Sequence, residues 1–241
     1  MLADFSLHEW SAWAPGLESV AAWKSWSAHP FSIPCDGEPA LPGVPPMLRR
    51  RADRFGRMAL RVACDVLGAA RGVPVVFVSR HGSLGRSAAL LGDLAAAVPL
   101  SPASFASSVH NASTGLLGIA RADTAPCAAL AAGDARIAAM LAEVIAFLSD
   151  GHPRVLGVLC DEPPPELYQR YIATDEPPLA WAGMFGAPSA EGENMSFSAG
   201  AAELAPGNPS LAWIKWLLSE DAEFGCPGTG AVSGWKVQRR A

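Results

Sequence analysis

Residues 101–115, SPASFASSVHNASTG, bring one histidine, one asparagine and five serines into fifteen positions. That grouping suits nucleophilic catalysis. Ser107, Ser108 or Ser113 would attack, with His110 as base and a carboxylate to orient the imidazole. The chain has no G-x-S-x-G elbow, the strained turn that presents such a serine in many hydrolases. Asp123 supplies the carboxylate only if the fold brings it there. The plainer reading is a structural His110, hydrogen-bonded within a turn.

A thiol is the second candidate. ADTAPCAALAAGDA sets Cys127 ahead of a predicted helix, and helix N-termini favour thiolate. Yet Pro126 precedes it, small residues separate it from the helix start expected near Ala132, and a free cysteine also serves as a small hydrophobe. The third candidate is RHGSLGRS, 80–87, which follows a strand and opens a helix, where anions often bind. It matches neither the P-loop nor G-x-G-x-x-G. A tight turn, or a partner contact through Arg80 and His81, competes with phosphate binding there. His8, His29, His81, His110 and His152 form no close pair, and the five cysteines no CxxC. No metal site and no cofactor are expected.

The elements that must carry these residues follow from periodicity. Residues 2–7 read as a strand. Trp10, Trp13, Trp23 and Trp26 mark a packed segment, and six prolines with two glycines in 30–46 mark an irregular connector. PMLRRRADRFGRMALRVACDVLGAARG reads as one helix, its apolar residues Leu48, Phe55, Met58, Val62 and Val66 at helical spacing. VPVVFVS, 73–79, and RVLGVLCDE, 154–162, read as strands buried on both faces of a largely parallel sheet. Helices are predicted over 83–98, 132–149 and 210–221, strands over 178–186 and 230–237, and loops over 187–209. Helix 132–149 carries only Asp134, Arg136 and Glu143 as charges, which predicts burial. The order is that of an α/β protein with helices on both faces of a sheet.

Composition narrows the function. Half of the 241 residues are hydrophobic, 17% are charged and the formal net charge is −5. An acidic chain without a basic stripe gives nucleic-acid binding little support. The excess of apolar residues requires either a deep core or a surface that a partner covers. MLADFSLHEW lacks the basic and apolar regions of a signal peptide. The apolar runs fall short of a membrane span. With scattered, odd-numbered cysteines, the expectation is a cytoplasmic protein.

Several blocks resemble a known family. PGLESVAAWKSW, LRRRADRFGRMAL, PVVFVSRHGSLGRSAALLGDLA, LSPASFASSVHNASTGLLGIA, AGDARIAAMLAEV and VLGVLCDEPPPELY resemble the small β-ketoacyl-synthase-like proteins described as chain-length factors. Those accompany a full ketosynthase in aryl polyene and xanthomonadin-type pigment clusters. The resemblance runs from about Trp10 to about Tyr168. SRHG followed by LSPASFASSVHNASTG is its most specific part. It implies a truncated thiolase-like fold: mainly the first half, with helix 132–149 buried between two sheets. The chain would be a single domain, 1–241, in which 170–241 is a reduced second part.

In that family's active members the nucleophilic cysteine begins the central helix, and two histidines come from the second half. Setting the motif glycine on Gly133 puts Leu130 at the cysteine position; the alternative alignment uses Cys127. Downstream of Cys127 the only histidine is His152. The resemblance therefore implies a non-catalytic subunit. It would form a heterodimer with an active β-ketoacyl-ACP synthase, meet the acyl carrier protein only indirectly, and limit acyl or polyene chain length. Phe105, Ser107, Ser108, Val109, His110, Asn111 and Leu116 would then form the partner interface and tunnel end. The rival expectations are an acyl-thioester hydrolase or transferase using Cys127 or a serine, and a self-associating scaffold.

Overall fold

A computed structural model describes residues 2–171, 176–200, 207–228 and 234–240. The strands are β1 (Leu2–Trp13), β2 (Val75–Ser79), β3 (Cys127–Ala131), β4 (Arg154–Asp161), β5 (Leu179–Gly186), β6 (Glu193–Ala199), β7 (Glu223–Pro227) and β8 (Gly234–Arg239). The helices are α1 (Val20–Ala28), α2 (Pro46–Arg51), α3 (Arg54–Leu67), α4 (Leu84–Ala95), α5 (Pro102–Ala106), α6 (Ala112–Arg121), α7 (Arg136–Ser149), α8 (Glu166–Gln169) and α9 (Pro209–Leu218).

The strands form one mixed sheet in the order β3-β2-β4-β5-β1-β6-β8-β7. Only β3, β2 and β4 run parallel; the remaining neighbours are antiparallel. The continuous apolar run of β2 serves both faces by turns. Val76 and Val78 join one core cluster, Val75 and Phe77 the other. α3 packs against β4, β5 and β1 on one face and touches α6. α7 packs against β2, β3 and β4 on the opposite face, with α9 beside it.

Some expectations need correction, each for a local reason. β1 continues past Leu7 to Trp13 because a bulge between Leu7 and Glu9 shifts its pairing with β5. One extra residue reverses the side-chain phase, so Phe5 and Leu7 share a core cluster with Ala12, and strict alternation ends at Leu7. The long arginine-rich helix is two helices, because Ala52 turns extended after Arg51 and Asp53 caps the next helix, its Oδ1 accepting from Gly56 N at 2.9 Å. The arginines between the apolar positions of α3 tie down the connector. Arg57 pairs with Glu38 at 2.6 Å, and Arg61 Nη1 donates to Ala40 O at 3.3 Å. β3 is made of Cys and Ala-rich residues without β-branching, so its sequence carried no strand signal. β6 occupies part of the stretch read as loops, 187–209. Of the closing strand predicted over 230–237, positions 230–233 lie outside the described residues, and β8 begins at Gly234.

The largest difference concerns the central helix. Among the described residues there is one sheet, not two, and α7 touches both of its ends: β3, β2 and β4 on one side and β7 on the other. The sheet twists far enough for β7 to reach α7, while Ala146 and Ser149 leave the outer side of the helix exposed rather than buried throughout. The C-terminal segment is woven into the same sheet, since β5 pairs with β4 on one edge and with β1 on the other.

α7 comes close to β4 at Gly157, where a Cβ would stand 2.8 Å from Met140 Sδ and 2.8 Å from Phe185 Cε2. Gly157→Ala should therefore cost about 1–3 kcal/mol through overpacking, read as a lower urea midpoint at unchanged slope. Unaltered stability would mean that α7 can slide away from the sheet.

Candidate functional site

In open α/β sheets, ligand sites lie outside the carboxyl ends of the parallel strands. Here Ser79 ends β2, Asp161 ends β4, and the first turn of the central helix faces them. A 3-10 turn, Gly133–Ala135, leads directly into α7. Gly133 has φ +53°, a left-handed conformation that favours glycine.

The space is filled by charge. Arg136, wholly buried, sets Nε 3.0 Å from Asp161 Oδ2 and donates from Nε to Ser210 Oγ at 3.0 Å. Its Nη1 donates to Gly133 O at 2.9 Å and its Nη2 to Glu176 Oε1 at 3.3 Å. Arg80 donates to the same Glu176 oxygen at 2.8 Å, and its backbone N–H donates to Asp161 Oδ1 at 2.7 Å. Ser79 Oγ donates to Asp161 Oδ1 at 2.9 Å and accepts from Gly82 N at 2.8 Å. Burial raises the Asp161 carboxyl above its ordinary value, with the Arg136 charge and the N–H of Arg80 opposing. His81 Nε2 lies 3.8 Å from Glu176 Oε2 at the rim of the cluster. Among the described residues the cluster holds its charges in close pairs, and the turn Gly133–Ala135 at the helix start carries neither a thiol nor a hydroxyl.

Both candidate thiol positions are corrected by the strand. Leu130 does not begin the central helix; it lies within β3 opposite Val78, three residues before Gly133. Cys127 begins β3 opposite Val75, four residue steps, roughly 13 Å, before Ala131. It is exposed.

The serine–histidine set does not assemble either. His110 Nε2 faces Leu130 O at 2.7 Å, so that nitrogen carries the proton and donates. The ring stands edge-on to Phe77, centroids 5.8 Å apart. Gly82 makes room, since a Cβ there would lie 2.9 Å from His110 Nδ1. Ser107 Oγ donates to Ala103 O at 2.9 Å and Ser108 Oγ to Phe105 O at 2.8 Å. Ser113 is buried in α6. Asp123 accepts from the N–H of Gly72 and Ala125 rather than from His110.

Between β2 and β3 the chain instead builds an outer layer of α4, α5 and α6. α4 has no buried residue. Leu91, Leu94, Val98, Leu100, Phe105, Val109 and Ile119 are exposed here, more than half of the exposed large hydrophobic side chains among the described residues. A groove of about 330 Å³ runs between this layer and the α2–α3 junction. Ser107, Val109, Asn111 and Leu116 line it; Phe105, 63% exposed, and His110 do not. β3 forms the edge of the sheet beside this layer.

Sequence reasoning passed over Arg136, Asp161 and Glu176 as the core of a cluster. The available signals were an arginine in a nearly charge-free helix and two acids ending an apolar strand. Arg136→Met would leave Asp161 buried without its cation, at a cost of about 3–5 kcal/mol in urea unfolding. Adding Asp161→Asn should return most of that loss; equal destabilisation by both proteins would refute the pairing.

A family model described as Beta-ketoacyl synthase, N-terminal domain, matches residues 23–236, well past Tyr168. The chain is 29% identical to one chain of the structure "Ketosynthase (ApeO) in Complex with its Chain Length Factor (ApeC) from Xenorhabdus doucetiae". That similarity covers 98% of this chain and 100% of that one, with a TM-score of 0.84. The ishigamide ketosynthase/chain length factor is 15% identical over 82% of this chain and 68% of its own, TM-score 0.66. A beta-ketoacyl synthase from Burkholderia phymatum STM815 is 12% identical over 76% and 59%, TM-score 0.60. The last two show likeness of fold alone. No curated protein matches the chain. Its sheet wrapped around a central helix and the family match across most of its length agree: the chain belongs to the β-ketoacyl synthase, N-terminal domain family.

Proposed function

We propose that this chain is a non-catalytic chain-length factor that pairs with an active β-ketoacyl-ACP synthase and limits acyl length in aryl polyene pigment biosynthesis. The observation that carries the reading is the start of α7. Gly133, Asp134 and Ala135 stand there, followed by the buried, ion-paired Arg136. Decarboxylative condensation needs a nucleophile at that turn and donors for the developing oxyanion. The full-length similarity to a chain of the Xenorhabdus complex supports the same role.

The outer layer supplies the surface for pairing. A contiguous exposed apolar surface marks an interaction site, and the α4–α6 layer carries most of this chain's exposed apolar side chains. In this reading Phe105, Val109 and the open edge of β3 meet the ketosynthase. Ser107, Ser108, His110 and Asn111 shape the turn between them, and the groove bordered by Leu116 accommodates the far end of the growing chain. The carrier protein is engaged through the partner, and the assembly works in the cytoplasm. Exposed Cys127 is the specific observation behind the rival acyl-thioester hydrolase or transferase, but among the described residues no base is hydrogen-bonded to it.

Co-expression with an active ketosynthase of the aryl polyene type should yield a complex that condenses malonyl units. An acyl-thioester probe should label the partner and not this chain. Labelling at Cys127, or loss of condensation in Cys127→Ala, would overturn the reading, as would failure to co-purify. Phe105→Ala and Leu116→Ala should shift the product distribution toward longer chains by about tenfold or more, measured by mass spectrometry of released products. A distribution unchanged by both would place the length limit elsewhere.

A further inference from the structure

At the end of the sheet opposite the ionic cluster, where β2 and β3 begin, a groove of about 380 Å³ is walled by Leu67, Val73, Val75, Leu117 and Ile119. A second groove, of about 350 Å³, lies beside the C-terminal part of α3 and is bordered by Arg61, Cys64 and Arg71. Each falls within the size range of small-molecule sites. They have one side chain in common, Arg121.

The state of Arg121 is unusual. Nη1 donates to Gly68 O at 3.2 Å and Nη2 to Ala70 O, while the buried Nε has no oxygen or nitrogen acceptor and the guanidinium meets only the weakly accepting Cys64 thiol. Arg71 donates only to its neighbour's carbonyl, Ala70 O at 3.2 Å. Among the described residues neither cation has a carboxylate within ion-pair distance, whereas Arg61 nearby is held by Asp65 at 2.9 Å and Glu18 at 3.8 Å. Asp123 borders the apolar groove, but backbone N–H groups of Gly72 (3.1 Å) and Ala125 (3.0 Å) occupy its oxygens. Burial pushes the Cys64 thiol up, with the Arg121 guanidinium beside it opposing.

A buried guanidinium that meets only backbone carbonyls and a thiol lacks a strong acceptor, and two neighbouring cations without a carboxylate favour a carboxylate or phosphate oxygen. An apolar slot beside it suits a hydrocarbon tail. We propose that this end of the protein binds an anionic amphiphile: the acyl chain lies in the Leu67–Ile119 groove, and the carboxylate or phosphate head sits against Arg121 and Arg71. The site lies at the far end of the sheet from the α7 start; it shares Ile119 and the beginning of β3 with the surface assigned to pairing, so it is tested on the chain without its partner.

Titration calorimetry on the purified full chain, below micellar concentrations, tests this with decanoate, decyl phosphate and decanol. Saturable binding of at least one anion is expected, with decanol at least tenfold weaker. The stronger of the two anions identifies the head group. Each methylene from octanoate to decanoate should tighten binding about fourfold. Arg121→Gln should abolish binding, Arg121→Lys should retain part of it, and Arg71→Glu, at an exposed position, should weaken it tenfold or more in a protein of unaltered melting temperature. No saturable binding, equal affinity for decanol, or binding unchanged by Arg71→Glu and Arg121→Gln would overturn the proposal.

Discussion

The buried guanidinium of Arg136 is the interaction on which the arrangement of this chain depends. It joins the end of β4 through Asp161, the approach to β5 through Glu176, and the start of α9 through Ser210. Arg80 and Ser79 add the end of β2 through the same two carboxylates. Four elements distant in sequence are thus fixed to the first turn of the central helix. A pair this deeply buried contributes less to net stability than an apolar replacement of equal fit would, but breaking it from one side is expensive. Its effect is to fix one geometry at the strand ends, where an α/β protein ordinarily leaves a crevice.

With the helix start held there, the rest of α7 is free to be apolar. Ile137, Met140, Leu141, Val144 and Ile145 meet a sheet that curls until both ends reach the helix. Gly157 lets Met140 approach β4 closely, and Trp181 and Trp213 complete the same cluster. One deep core follows on that face. The other face is closed by the apolar stripe of α3, whose arginines hold the proline-rich connector through Glu38 and backbone carbonyls. Hydrophobic residues left over from these two cores are concentrated in the α4–α6 layer. That division resolves the excess apolar composition into a deep interior and an uncovered surface.

His110 shows how a catalytic-looking motif becomes architecture. Its ring is fixed by a carbonyl of β3 on one side, the Phe77 ring on another and the bare backbone of Gly82 on a third. It therefore ties the outer layer to the edge of the sheet. The neighbouring serines spend their hydroxyls on carbonyls one turn earlier, the usual local competition of serine with the backbone. Residue types that suit hydrolysis serve here to terminate and orient two short helices.

What the sequence by itself determined is everything set by short-range periodicity and composition. The buried strands 75–79 and 154–161, the amphipathic α3 and the nearly uncharged α7 were legible because burial on one or both faces dictates residue type at a period of two or three to four. The family was legible in blocks around SRHG and SVHNASTG. The tertiary structure alone decided the rest. β3 and β6 carry weak local preference and are strands because neighbours offer them hydrogen bonds. The bulge in β1 hides its second half. Arg136, Asp161 and Glu176 meet across 25 and 15 residues of chain, and charges paired at such separations leave no periodic trace. Motif spacing aligned Leu130 or Cys127 with a cysteine ahead of a helix expected from Ala132; pairing with β2 puts both in a strand, and the first turn begins at Gly133. Which chemistry-bearing side chains share a site is a long-range property, set by how the sheet curls around α7.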